Sequence, residues 1–209
     1  MTELVFILDR SGSMAGAVED AIGGFNSMLD RQKTEAGEAL VTTVLFDSRA
    51  EFLHDRVRLE QVPHMTKKEY YARGSTALLD AVGSTIRHIA HIHKYAKPED
   101  RPEKTLFIIT TDGMENASRR YDYQRVQQMI TLEQEKYGWE FIFMGAEIDV
   151  VREAKRMGIR DDRALSYSKR NGGVQRMFCV AEDVVSSIRA SACVDEEVLD
   201  KFRKDERNR

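Results

Sequence analysis

Four apolar runs constrain this chain most, because each is nearly unbroken and each ends on aspartate or glycine. Leu4–Leu8 runs into Asp9, Leu40–Phe46 into Asp47, Thr105–Thr111 into Asp112, and Phe141–Met144 into Gly145. Runs with little polar alternation describe strands buried on both faces, as in a parallel sheet. Weaker strands are expected at Ala50–Val57 and Ala164–Tyr167. Between the runs the period changes. Val18, Ile22, Phe25 and Leu29 recur at helical spacing, as do Leu78, Leu79, Val82, Ile86 and Ile89. Further helices are expected over Tyr121–Tyr137, over Val150–Met157 with a stop near Gly158, and over Val174–Ala192. Alternating strands and helices predict an α/β layered fold with helices on both faces of one sheet.

A chain of 209 residues is long enough to bury a full core without staples. No domain boundary is visible within 1–192, and the charge-dense stretch 193–209 reads as a tail, either a solvated helix end or a frayed terminus. The net charge of −3 argues against a dedicated nucleic-acid binder. No segment approaches the roughly 20 apolar residues of a membrane span. Two cysteines, Cys179 and Cys193, make no disulfide framework, and the first five-residue apolar run is too short for a secretion signal. A cytoplasmic location is the expectation.

The ends of the strands hold the polar chemistry. The first delivers Asp9-Arg10-Ser11-Gly12-Ser13, and the third long run delivers Thr110-Thr111-Asp112-Gly113. Gly74-Ser75-Thr76 leads into the second helix. In open α/β sheets, ligands bind beyond the carboxyl ends of strands, near the point where strand order reverses. Asp9, Ser11, Ser13, Thr76 and Asp112 offer only hard oxygen donors, which suits Mg²⁺ and also admits Mn²⁺ or Ca²⁺; zinc fits this set poorly. Two carboxylates only just balance a divalent ion, leaving it electrophilic toward a further acidic ligand. The bland alternative is a cluster of polar turns in which Ser13 and Thr76 cap the helices that follow them.

The sequence DRSGS at 9–13 resembles the DxSxS signature of von Willebrand factor A (VWA) domains, whose metal-ion-dependent adhesion site (MIDAS) adds a threonine and an aspartate from two further loops. Thr76 in GSTAL and Asp112 in TTDG match those two positions. The resemblance covers about residues 3–192. It implies a three-layer Rossmann-like fold with a mainly parallel sheet and one antiparallel edge strand, Ala50–Val57, joined to Leu40–Phe46 by a hairpin at Asp47-Ser48-Arg49. It implies that Ser11, Ser13 and Thr76 supply hydroxyls to Mg²⁺ while Asp9 and Asp112 act directly or through water. It also implies a stand-alone prokaryotic or phage protein and not a secreted adhesin. Its partner would be a protein bearing an exposed Asp or Glu, in a setting such as an AAA+ ATPase or a stress-response system. In some such domains the last helix, here Val174–Ala192, shifts when the metal sphere changes.

Further residues invite a functional reading beside these five. Arg10, Glu115 and Asn116 flank the ligand loops, where they either meet a partner or are ordinary loop residues. His88, His91 and His93 are spaced poorly for one metal and read as surface histidines near a helix end. Tyr70 and Tyr71 with Lys67, Lys68 and Arg73 form a basic-aromatic rim beside Thr76. Cys179, within MFCVA, reads as a buried small hydrophobe. Three functions follow: a metal-dependent protein-binding module that is not an enzyme, a phosphoester hydrolase using Asp9 as nucleophile, and a scaffold with a vestigial metal site. The hydrolase reading lacks a second carboxylate two residues on, an obvious lysine and a poised base.

Overall fold

The structure, a computed structural model, describes residues 1–169, 172–191 and 193–207. Six strands form one sheet: β1 (Thr2–Asp9), β2 (Ala39–Phe46), β3 (Ala50–Arg58), β4 (Lys104–Thr111), β5 (Glu140–Ala146) and β6 (Ala164–Tyr167). Their order is β3-β2-β1-β4-β5-β6. All neighbours are parallel except β2 and β3, which pair antiparallel across the hairpin, with Phe46 opposite Ala50. The mainly parallel sheet and its antiparallel edge strand are as the resemblance implied.

Among the described residues six α-helices cover the sheet: α1 (Val18–Thr34), α2 (Leu78–Tyr95), α3 (Tyr123–Tyr137), α4 (Val150–Arg156), α5 (Gly173–Ser191) and α6 (Glu196–Arg207). The unbroken apolar runs reflect two cores. Leu4, Phe6, Leu8, Leu106 and Ile108 face α1, α5 and α6. Val5, Ile7, Phe107 and Ile109 face α2, α3 and α4. Each such side chain contributes about 1.5–3 kcal/mol when fully buried, so both faces of a central strand must be apolar.

Two expectations change at the C-terminal end. Residues 196–207 form α6, and Val194, Leu199 and Phe202 are buried in the α1/α5 core, so this stretch is a docked helix where a solvated or frayed segment was expected. Cys179 is exposed, because its neighbours Phe178 and Val180 take the inward positions of α5. The expected last residue of α5, Ala192, and the end of the chain at 208–209 lie outside the described residues.

Candidate metal centre

Strand order reverses at β1, which has β2 on one side and β4 on the other. The crevice beyond β1 and β4 is therefore the switch point of the sheet. The register that sets Leu8 against Thr110 brings Asp9 beside Thr111. Thr111 Oγ1 donates to Asp9 Oδ2 at 2.6 Å, and the Ser11 amide donates to Asp9 Oδ1 at 2.6 Å. Asp9 is 1% exposed. Burial pushes its carboxyl above the usual aspartate range, against the bonds from Thr111 and Ser11 that pull it down. The phenol of buried Tyr70 donates to the Asp9 carbonyl.

The remaining site residues converge around the Asp9 loop. Ser11 Oγ and Ser13 Oγ are 2.9 Å apart, and Ser13 Oγ donates to Asp112 Oδ1 at 2.5 Å. A Cβ added to Gly113 would lie 3.0 Å from Thr76 Oγ1 and 3.7 Å from Ser13 Oγ. The glycine thus leaves room between hydroxyls from two different loops. All five predicted residues meet at one crevice. Among the described residues, no group of three or more His, Cys, Asp or Glu side chains is arranged to hold a metal. The donor set here is different: three hydroxyls and two carboxylates, all hard oxygen, which suits a small divalent ion.

Thr76 is held without using its hydroxyl. Its amide donates to Asn116 Oδ1 at 2.9 Å, and its carbonyl accepts from the Asn116 amide at 3.0 Å. Gly74 sits at φ +67°, a backbone conformation that L side chains rarely adopt, and its carbonyl accepts from the Gly12 amide. This bond ties the Thr76 loop to the Asp9 loop. The helix-capping alternative for Thr76 fails. Glu115 caps α2 instead, accepting from the Leu79 amide at 2.9 Å, and its other bonds brace Ala117 and Ser118. Glu115 and Asn116 are therefore scaffold for the site and not ordinary solvated loop residues. Their position beside the ligand loops is visible in the sequence and their role is not, since which amides they meet depends on how the loops pack.

Arg10 also belongs to the scaffold. It is 2% exposed, donates from Nε to Asp47 Oδ2 at 3.0 Å, and meets Glu51 and the Glu69 carbonyl. It cannot reach a partner, contrary to one expectation. Arg73 reaches the same Asp47 oxygen at 2.7 Å. Tyr71, 41% exposed, lies under both guanidinium groups, while Tyr70 is buried and Lys67 pairs with Glu19. The histidines are engaged separately: His88 with Asp55, His93 with buried Glu3, and His91 against Tyr95. His93 is half-enclosed by these contacts and not a surface residue.

One site residue gave no signal in the sequence. Lys169, just past β6, places Nζ 2.8 Å from Asp112 Oδ2 and 3.4 Å from the Ser13 carbonyl. Its ammonium puts a positive charge at the carboxylate where a bound metal's charge would lie. Position 169 is 57 residues from Asp112, and only the packing of β6 at the sheet edge brings them together.

No family model matches the chain, and no curated protein matches it in sequence. Solved structures do match in fold. A von Willebrand factor type A protein from Catenulispora acidiphila superposes with a TM-score of 0.56 at 15% identity, covering 87% of this chain and 42% of that one. The chain has the von Willebrand factor A fold. The vWF domain of a type V pili tip protein from Porphyromonas gingivalis gives 0.59 at 10% identity over 93% and 98% of the two chains. Proximal thread matrix protein 1 from the mussel byssus, with a zinc-occupied MIDAS motif, gives 0.55 at 17% identity over 88% and 44%. This VWA-fold chain spans 62% of the PilB minor pilin of Streptococcus sanguinis, also similar in fold, and under half of the byssus protein. No helix among the described residues is long and apolar enough to cross a membrane.

Proposed function

We propose that the chain is a metal-dependent protein-binding module. Ser11, Ser13 and Thr76 would hold a divalent cation through their hydroxyls, with Asp9 and Asp112 acting directly or through water. Mg²⁺ is the preferred ion on donor type, with Mn²⁺ and Ca²⁺ next. When bound, the ion supplies an electrophilic position for an Asp or Glu of a protein partner, for which an AAA+ ATPase is a family-level candidate. The observation that carries the reading is the run of contacts from Ser11 through Ser13 to Asp112 at the switch point, with Thr76 Oγ1 close by across Gly113.

The hydrolase reading loses support. Both Asp9 carboxylate oxygens accept short hydrogen bonds and the residue is buried, which counts against a freely exposed nucleophile. The lysine that reading lacked does exist as Lys169, but it pairs with Asp112 and not Asp9. That same ion pair favours the third reading, a scaffold whose ammonium permanently replaces the metal.

Calorimetric titration separates the two. Mg²⁺, Mn²⁺ and Zn²⁺ are titrated into wild type, Ser13→Ala and Thr76→Ala. Ser13 is exposed, so its loss leaves the core intact, unlike loss of buried Asp9. One-site binding weakened in both variants supports the module. The absence of binding for all three ions, with and without an added single-glutamate peptide, leaves only the scaffold.

A further inference from the structure

At the end of the sheet opposite the metal centre, a cavity of about 560 Å³ opens between α2 and α3. Its floor is Ile86, Thr105, Glu133 and Trp139, all buried. Trp139 is fixed there. Gly138 ends α3 in the left-handed conformation at φ +66°, which folds the chain back so that the Trp139 amide donates to the Glu133 carbonyl. The indole stacks on Phe107 with centroids 5.3 Å apart and meets the edge of His93.

Glu133 is the anomaly. It is 5% exposed, and its Oε2 has no hydrogen-bond partner. A buried acceptor left unmet costs about 1–3 kcal/mol, more for a charged group. His93 offers no relief through Nε2, which is engaged 3.0 Å from Glu3. Burial pushes the Glu133 carboxyl up, with the charges of His93 and Lys136 opposing. The mouth of the cavity has the opposite sign. Arg87, Lys94 and Arg101 line it and are exposed. Glu103 is the one mouth carboxylate, set against three cations.

We propose that this cavity is a second binding site, for a small elongated zwitterion: an amine or other strong donor seated on Glu133, an apolar body against Trp139 and Ile86, and a carboxylate at the cationic mouth. The polarity of the ligand follows from the layering of charge. An acid-first orientation would place a carboxylate against the unpaired Glu133, and a purely apolar ligand would leave that carboxylate unmet.

The chain's single tryptophan lies in the floor, so its emission reports occupancy directly. The probe is para-aminomethylbenzoate, with para-methylbenzoate and benzylamine each lacking one charged end. Saturable change in Trp139 emission is expected with the first, at least tenfold weaker for para-methylbenzoate and a fewfold weaker for benzylamine. Glu133→Gln should weaken the full probe at least tenfold while leaving para-methylbenzoate unchanged. Ala90→Phe, which fills the cavity from α2, should abolish the response and decides the matter if Glu133→Gln does not fold. Absence of a saturable response to the full probe overturns the proposal, as does equal affinity in Glu133→Gln or in Ala90→Phe.

Discussion

Lys169 Nζ lies 2.8 Å from Asp112 Oδ2, so a side chain from the edge of the sheet places its charge on a carboxylate of the central crevice. Under the metal-binding reading, the ammonium competes with the cation for that oxygen. Lys169 is about one-fifth exposed, and a pair of this kind contributes about 1 kcal/mol. Lys169→Met should therefore tighten Mn²⁺ or Mg²⁺ by about fivefold in calorimetry. Unchanged or weaker metal binding in the variant would show that the lysine does not compete.

Asn116 makes the second prediction. Its side-chain oxygen accepts from the Thr76 amide and its own amide donates to the Thr76 carbonyl, so it holds the backbone of a proposed ligand and not that ligand's hydroxyl. Asn116→Ala leaves the Thr76 amide without its partner and lets the hydroxyl drift. Metal affinity should fall about tenfold, the equivalent of about 1.4 kcal/mol. The urea midpoint should move little, because Asn116 is exposed. A large loss of stability with unchanged affinity would assign Asn116 to the fold alone.

The five proposed ligands were legible because short-range rules place them. Each sits where a buried strand ends or a helix begins, and the apolar runs mark those points. Their supports were not legible. Arg10 meets Asp47 across 37 positions, and Lys169 meets Asp112 across 57. Nothing in local periodicity distinguishes a charged side chain that folds inward from one that faces solvent. Glu115 shows the same limit: its neighbours announce a loop, but the helix amide it caps lies 36 residues earlier.

Asp47 predicts a pH dependence of stability. Burial alone would raise its pKa, but the bonds from Arg73 and Arg10 outweigh burial and hold the carboxyl below its ordinary range. The unfolded aspartate titrates near about 3.9. A group depressed in the folded state contributes its stability fully above the unfolded value and loses it as pH falls through the folded one. Asp47→Asn should cost about 3 kcal/mol at pH 7, because buried Arg10 loses one of its two carboxylate partners. Denaturant melts should show the gap between wild type and variant closing below about pH 4. A gap constant from pH 7 to 3 would remove this pair from the acid response.

The last helix supplies a prediction about the fold. Leu199 is fully buried and Phe202 nearly so, although α6 is otherwise densely charged. Its outer charges are partly anchored, with Arg176 Nε 3.0 Å from Glu206 and Arg203 reaching the Asp162 carbonyl. The apolar pair, not the charge, fixes the helix, since exposed ion pairs contribute little each. Leu199→Ala should cost about 2–4 kcal/mol and lower the melting temperature by about 5–12 °C. Glu206→Gln should change it by no more than about 1 °C per few tenths of a kcal/mol lost. If Leu199→Ala melts like wild type, α6 does not dock in solution, and the charged segment is the solvated end its composition suggested.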